Sequence, residues 1–332
     1  MSETVLVTGA TGAIGHRVVH ALHAAGYTLR TLSLDTPGPK LFPPEVDNLI
    51  GDVTDPMAVH AAMHGIDAVV HLAAQLHIAN PPPELQEMFE KVNVGGTAAV
   101  AAAAEKAGVQ RVIMASTIAV YGPAAGKILD EDSPARPDTL YAKTKLAAER
   151  IVLGATRPDG RALGTVLRFA AVYGGRVKGN YRRLIRALSR GCFVAVGDGS
   201  NRHTLIYDKD LAQAVVLALV HPAAAGQVFN VTDGRCHSLK EIIAAMCLAL
   251  GRTPPRWSLP RKPVRWLAGL MDDAAKAIGH QSSIGRATID KFTEDFAVSG
   301  DKIRHELGFA SHYDLESGWR QTVAELRETG EL

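Results

Sequence analysis

The sequence predicts an α/β fold: a doubly wound parallel sheet, with a smaller, discontinuous α/β unit beside it. Three observations predict it. Short β-branched runs alternate with Ala-rich helical stretches through the first half, the pattern of strands joined by crossover helices. An apolar run at the start leads straight into a glycine-rich turn and an amphipathic helix. After Tyr173 the alternation breaks down, which marks chain that leaves the sheet.

In chain order, strands are expected near 4–8, 28–34, 48–50, 68–72, 111–115 and 164–169, and helices near 13–25, 56–64, 85–107 and 139–154. The stretch 92–107 is almost pure Ala and Val around Glu105 and Lys106, which suits a helix buried between neighbours. A basic helical stretch, Tyr181 to Arg190, and a loop, Gly197-Asp198-Gly199-Ser200-Asn201, follow Tyr173. Strand and helix return at Leu205-Ile206-Tyr207 and Leu211 to Val220, with another strand at Val228 to Val231. The remainder mixes helices with a Pro-rich loop from Thr253 to Pro263. The expected division is a sheet domain of residues 1–172 plus 203–232, covered by a domain of 173–202 plus 233–332.

Among 332 residues, 36 basic side chains face 34 acidic ones, so no whole-chain field drives the protein onto nucleic acid or an anionic membrane. The expected partner is small. Cys192, Cys236 and Cys247 are odd in number and lack metal-ligand spacing, so neither a disulfide framework nor a zinc site is expected. The first strand-like run begins at Thr4, which leaves no room for a signal peptide, and apolar runs stop well short of the roughly 20 residues that span a bilayer. A cytoplasmic setting without membrane insertion is the expectation.

The segment Val5-Leu6-Val7-Thr8-Gly9-Ala10-Thr11-Gly12-Ala13-Ile14-Gly15 reads as strand, turn and helix start. Close approach of backbone to a pyrophosphate needs residues without Cβ, and the helix supplies N–H groups and a positive dipole end. Roughly 20 residues after the last glycine, Asp35 is the candidate for the adenosine ribose hydroxyls, although it also fits the opening of the Pro37-Gly38-Pro39 loop. No Arg or Lys occupies 33–36 to receive a 2′-phosphate, which leans towards NAD over NADP.

Tyr141 and Lys145 stand one turn apart on a single helix face. An ammonium about 6 Å from a phenol, at an effective dielectric near 20, is worth roughly 2–3 kcal/mol, enough to lower the phenol by about two pH units. Tyr141 is then expected to exchange a proton with a substrate hydroxyl near neutral pH while hydride moves at the same carbon. Ser116-Thr117 ends an apolar strand at the carboxyl edge, where ligands bind in open α/β sheets, so a hydroxyl there can hold the reacting oxygen.

With these residues in hand, the chain resembles the extended short-chain dehydrogenases/reductases, the NAD-dependent epimerase/dehydratase family, in its nucleotide-sugar 4-epimerase and 4-keto-reductase branch. The resemblance implies a Rossmann domain whose cofactor contacts are Gly9, Thr11, Gly12, Ala13, Ile14 and Asp35. It also implies Asp52 and Val53 at the adenine, Leu72, Ala73, Ala74 and Gln75 at the strand end beside the nicotinamide ribose, Asn93 as a structural asparagine, and Ala115, Phe169 and Val172 nearby. Thr117, Tyr141 and Lys145 fall on its catalytic positions, the last two also touching cofactor, while Ser116, Thr117, Asn180, Arg183, Arg202 and His203 fall on substrate positions. The likeness runs on through Gly197 to Asn201 and Asp301 to Phe309. Lys178-Gly179-Asn180 and Ile289-Asp290-Lys291-Phe292-Thr293 are similar to UDP-hexose 4-epimerases or 4-keto-sugar reductases of polysaccharide synthesis.

Two positions depart from the family's pattern. Ala171 stands where many sugar-nucleotide epimerases carry Asn, and His203 where an Arg meets the diphosphate, with Arg202 as a stand-in beside Arg182 and Arg183. The Arg182-Arg183-Arg186-Arg190 row suits either a diphosphate or solvent. His16, His20 and His23 are expected on a polar helix face, with no metal. The run Arg256 to Trp266 mixes cations with tryptophans, as a membrane surface or aglycone contact would, but core or lid packing is the expectation. The implied activity is UDP-hexose 4-epimerisation with NAD. The alternative is NAD(P)H-dependent reduction of a 4-keto-sugar nucleotide or of a hydroxyketone or steroid-like substrate. A homodimer built through the helices near 85–107 and 139–154 is what the resemblance implies.

Overall fold

The computed structural model describes residues 3–76, 83–277, 290 and 294–332. Most of the 289–293 run therefore lies outside the described residues. Seven parallel strands form the main sheet, in the order β11-β7-β5-β4-β1-β2-β3. They are β1 (Thr4–Thr8), β2 (Thr28–Ser33), β3 (Asp47–Ile50), β4 (Ala68–His71), β5 (Arg111–Thr117), β7 (Gly164–Phe169) and β11 (Val228–Val231). β1 and β7 are buried along nearly their whole lengths because both faces of a parallel sheet are covered. The strand order reverses between β1 and β4, so the carboxyl ends of those two strands open the crevice where such sheets bind ligands.

Helix α1 (Gly15–Ala24) and helix α7 (Asp208–Val220) cover one face, through Val18, Val19, Leu22, Leu211 and Val215. Helices α2 (Pro56–Ala62), α4 (Thr97–Ala107) and α5 (Leu140–Gly154) cover the other, through Val59, Val100, Ala104, Ala148 and Val152. The Ala-rich helix lies between α2 and α5, where small side chains admit close neighbours. The single helix expected at 85–107 is instead three pieces: α3 (Pro83–Phe89), a π-helical stretch (Glu90–Gly96) and α4. The wider turn is built at the position that carries Asn93, and π segments cluster at functional sites.

The remaining strands are β6 (Ile128–Leu129), β8 (Ala171–Tyr173), β9 (Ala195–Val196), β10 (Arg202–Tyr207), β12 (Cys236–Ser238), β13 (Ser258–Leu259) and β14 (Ala297–Val298). They form a three-stranded sheet β12-β10-β8 and two short pairs, β13-β9 and β14-β6. Beside them stand α6 (Asn180–Ser189), α8 (Leu239–Leu250), α9 (Arg261–Ala277), α10 (Asp301–Leu307) and α11 (Leu315–Glu328). Ile185, Ile242, Met246, Val323 and Trp319 form a separate core there, with Trp319 stacked on Tyr173 at 4.4 Å. Arg17 of α1 joins this core to the main sheet's layer through Asp208 of α7 and Glu325 of α11.

Candidate active site

The glycine turn closes over the end of β4. Gly9 has φ +70° and a Cβ there would sit 2.7 Å from the backbone of Ala73, so only glycine fits. Thr11 N–H donates to Ser33 Oγ at the end of β2. Helix α1 begins without a side-chain cap and with no acid in its first turn, which leaves an anion-seeking helix end beside the turn. These residues fit the pyrophosphate of a dinucleotide. Asp35 lies exposed two residues beyond β2, whereas buried Ser33 occupies the strand end itself. Asp52 accepts from Thr54 N–H, and Val53 packs against Gly96, where a Cβ would approach to 2.9 Å. His16 departs from the expected polar face: it is buried, and burial first, then Arg17, pushes it down to about 3, so it is neutral beside the turn. His20 and His23 are exposed.

A buried column of hydrogen bonds ties the turn to α5. Thr97 Oγ1 donates to the Asn93 carbonyl at 2.7 Å, so it accepts from His71 Nε2–H at 3.0 Å. Nδ1 of His71 then accepts from Thr8 Oγ1 at 2.7 Å. Burial, with a smaller push from Lys145, lowers His71 to about 3, in keeping with this neutral tautomer. The Asn93 side chain accepts from Gln75 N–H at 2.8 Å and donates to Gln75 O at 3.2 Å and Thr144 Oγ1 at 3.0 Å. It thereby fixes the loop after β4, carrying Leu72, Ala73, Ala74 and Gln75, against the turn of α5 between Tyr141 and Lys145.

Tyr141 is half-buried, with its ring edge-on to Phe89 at 6.5 Å, and Lys145 is buried. The expected depression of the phenol is not found: burial pushes Tyr141 up to about 12 and Lys145 down to about 8. Desolvation penalises the charged form of each group. Tyr141 therefore holds its proton at neutral pH.

Glu149 extends the same helix stripe, four residues beyond Lys145, and pushes that amine upward. It is buried, takes a two-pronged ion pair from Arg168 of β7 and accepts from Ser116 Oγ. Arg168 lies 4.8 Å over the Tyr121 ring, and the Tyr121 hydroxyl donates to Asn230. Sequence reading missed this network, although the spacing 141, 145, 149 was its signal. Adjacent residues of β5 divide the two hydroxyl candidates. Ser116 turns inward to Glu149, while Thr117 accepts from Ala119 N–H and keeps its own proton to donate. Ala115 and Phe169 lie at the same strand ends.

The substrate candidates separate. A cavity of about 200 Å³ is lined by Ala171, Val172, Lys178, Asn180 and Tyr181. Another, of about 320 Å³, is lined by Asp198, Asn201, Arg202, Arg261 and Asp295. Arg202 pairs with Asp295 and the Gly126 carbonyl, whereas His203 approaches Asn201 and Tyr181. Neighbours on a strand face opposite ways, so Arg202 does not stand in for an arginine at 203. Burial lowers His203. Arg182 and Arg186 are paired with Glu331 and Arg183 is exposed, so the arginine row is not one diphosphate-binding face. Trp257 and Trp266, expected in core or lid packing, are 87% and 66% exposed. Among the described residues, no group of three or more His, Cys, Asp or Glu could hold a metal, and no helix is long and apolar enough to cross a membrane.

The sequence profile of the NAD dependent epimerase/dehydratase family matches residues 5–232, from the glycine-turn strand through β11. The chain belongs to that family. It is 31% identical to the N-acetyl-alpha-D-glucosaminyl-diphospho-ditrans,octacis-undecaprenol 4-epimerase of Escherichia coli O157:H7, over 97% of this chain and 95% of that one. It is 32% identical to the 3 beta-hydroxysteroid dehydrogenase/Delta 5→4-isomerase of Mycobacterium tuberculosis, over 79% of this chain and 74% of that one. Among solved structures, MoeE5 in complex with UDP-glucuronic acid and NAD superimposes with a TM-score of 0.77 at 27% identity, covering 98% and 99% of the two chains. The family member described here is an NAD-dependent enzyme of the extended short-chain dehydrogenase type, with the fold those structures share.

Proposed function

We propose that this protein is an NAD-dependent 4-epimerase of a hexose carried on a diphosphate, nucleotide-linked in the simplest case, with Tyr141 as the acid–base group. What supports the reading is that Thr117 closes β5 at its carboxyl end and that Asn93 ties the turn of α5 carrying Tyr141 and Lys145 to the loop after β4. Bound in that turn, NAD supplies a hydride acceptor that can return the hydride to the other face of the same carbon. Thr117 holds the reacting oxygen. Tyr141 takes the hydroxyl proton and gives it back, while Lys145 supplies the positive charge that favours the phenolate. Asn93 keeps the helix turn and the loop after β4 in register, and Phe89 shields the phenol from water.

The relative acting on an undecaprenyl-diphosphate sugar and the MoeE5 complex with a UDP-sugar both support a diphosphate-linked hexose. The test is incubation of purified protein with UDP-galactose or UDP-N-acetylglucosamine and no added reductant, the products being separated by anion-exchange chromatography. The 4-epimer should accumulate to equilibrium, and Tyr141→Phe should slow it by about 10²–10⁴-fold. The likeness to a hydroxysteroid dehydrogenase favours a second reading, net redox chemistry on a hydroxyl of an apolar ring. Stoichiometric formation of NADH with a 3β-hydroxysteroid, without epimerisation of any sugar diphosphate, would replace the first reading by the second.

A further inference from the structure

From Arg252 to Leu267 the chain carries Arg252, Arg256, Arg261, Lys262 and Arg265 and no acid. Every residue from Gly251 to Pro263 is exposed. Within the same segment Trp257, Trp266, Leu267 and Leu259 are 87%, 66%, 55% and 49% exposed. That is a contiguous stretch of indole and leucine with cations between, not the scattered single apolar residue that any surface shows. Asp290 pairs with Arg261 and Arg265, while Asp198 and Asp295 share a cavity lining with Arg261. Arg252, Arg256 and Lys262 add further charge of one sign to the same face.

We propose that the face formed by β13 and the start of α9 docks on an anionic lipid bilayer. Tryptophan favours the boundary between headgroups and acyl chains, leucine enters just below it, and arginine and lysine reach the phosphates. A second copy of the chain is disfavoured as occupant, because a two-fold interface would bring this cationic face against itself. The face is held firmly. Ser258 and Leu259 pair with Ala195 and Val196, and Gly197 N–H donates to Leu259 O at 2.9 Å. Arg261, the first residue of α9, also lines the cavity of about 320 Å³ with Arg202 and Asp295. Asp198 and Asp295 balance the two guanidinium groups of that cavity, so the net positive charge lies on the exposed segment rather than in it.

This inference is independent of the epimerase reading, and its test reads lipid rather than product. Full-length protein is sedimented with vesicles of phosphatidylethanolamine containing a quarter phosphatidylglycerol, and with vesicles of phosphatidylcholine alone. Binding to the anionic vesicles is expected, and it should weaken as salt rises. The double variants Trp257→Ser/Trp266→Ser and Arg256→Glu/Lys262→Glu should each weaken partitioning by at least about tenfold, with the rate on a soluble UDP-hexose unchanged. Trp319 is the third and last tryptophan, and it is buried, so a blue shift of emission on vesicles should vanish when the other two are replaced. Wild-type protein that stays in the supernatant with anionic vesicles overturns the proposal, as do variants that bind like wild type. So does a dimer in sedimentation velocity that the tryptophan variant dissolves, which would assign the face to a second copy.

Discussion

Glutamine in place of Glu149 should move the alkaline limb of the pH–rate profile to lower pH. In the wild-type protein Lys145 lies at about 8, lowered by burial and partly restored by Glu149. A Lys has its charged form below its pKa, so the positive charge that Tyr141 needs is lost as pH rises through about 8. One helical turn, about 6 Å at an effective dielectric near 20, makes the Glu149 charge worth roughly two pH units to the amine, and sharing with Arg168 leaves about one. The alkaline limb of kcat/KM should therefore shift from about 8 to about 7. Glutamine keeps the volume and an acceptor for Ser116 but strips Arg168 of its buried counterion, at a cost of about 2–3 kcal/mol. At roughly 2–4 °C per kcal/mol the melting temperature should fall by about 5–10 °C. The assay is UDP-hexose interconversion across the pH range, beside thermal melts of the same protein. A variant that melts earlier while its alkaline limb stays in place would show that Glu149 supports packing only, and the coupling argued here would be wrong.

Three further outcomes follow from the geometry. Arg17→Ala leaves buried Asp208 without its counterion and should cost about 2–3 kcal/mol at pH 8 in thermal melts. Because burial raises Asp208 to about 6, its carboxylate takes up a proton as pH falls below that value, and the difference from wild type should shrink there. Gly9→Ala combines a left-handed φ with a clash against Ala73, so it should lower stability by about 1–3 kcal/mol and abolish NAD binding in a fluorescence titration. His203→Arg restores the permanent cation of the family's pattern, and calorimetry should show UDP binding tightened by about 1–2 kcal/mol. Unchanged affinity would mean that position 203 does not face the diphosphate.

The strands of the main sheet were legible because most are short β-branched or apolar runs set between helical stretches, while their order came only with the structure. The glycine turn was legible through its place between strand and helix, and the spacing of Tyr141 and Lys145 put both on α5, but their burial was not legible. The π-helical stretch was not legible, because Glu90 to Gly96 carries no sequence signal that separates it from the α-helices on either side. Glu149 and Arg168 were missed since a charged residue on a helix ordinarily faces water, and the contact that buries them spans 19 residues. The opposite facing of Arg202 and His203 was not legible, because the strand was expected only from Leu205, whereas β10 begins at Arg202. Nor was the exposure of Trp257 and Trp266, because tryptophan is usually an interior residue.

The column from Thr8 through His71 and Thr97 to Asn93 has a fixed polarity: each hydroxyl hands its hydrogen onward in one direction, and the imidazole between them stays uncharged until strongly acid pH. It can brace the crevice yet has no hydrogen to trade with it. On the proposed mechanism, the hydrogens that move during turnover are those around Tyr141 and Lys145, on the other side of the helix turn. A mutation in the column should disturb alignment without adding an ionisation of its own.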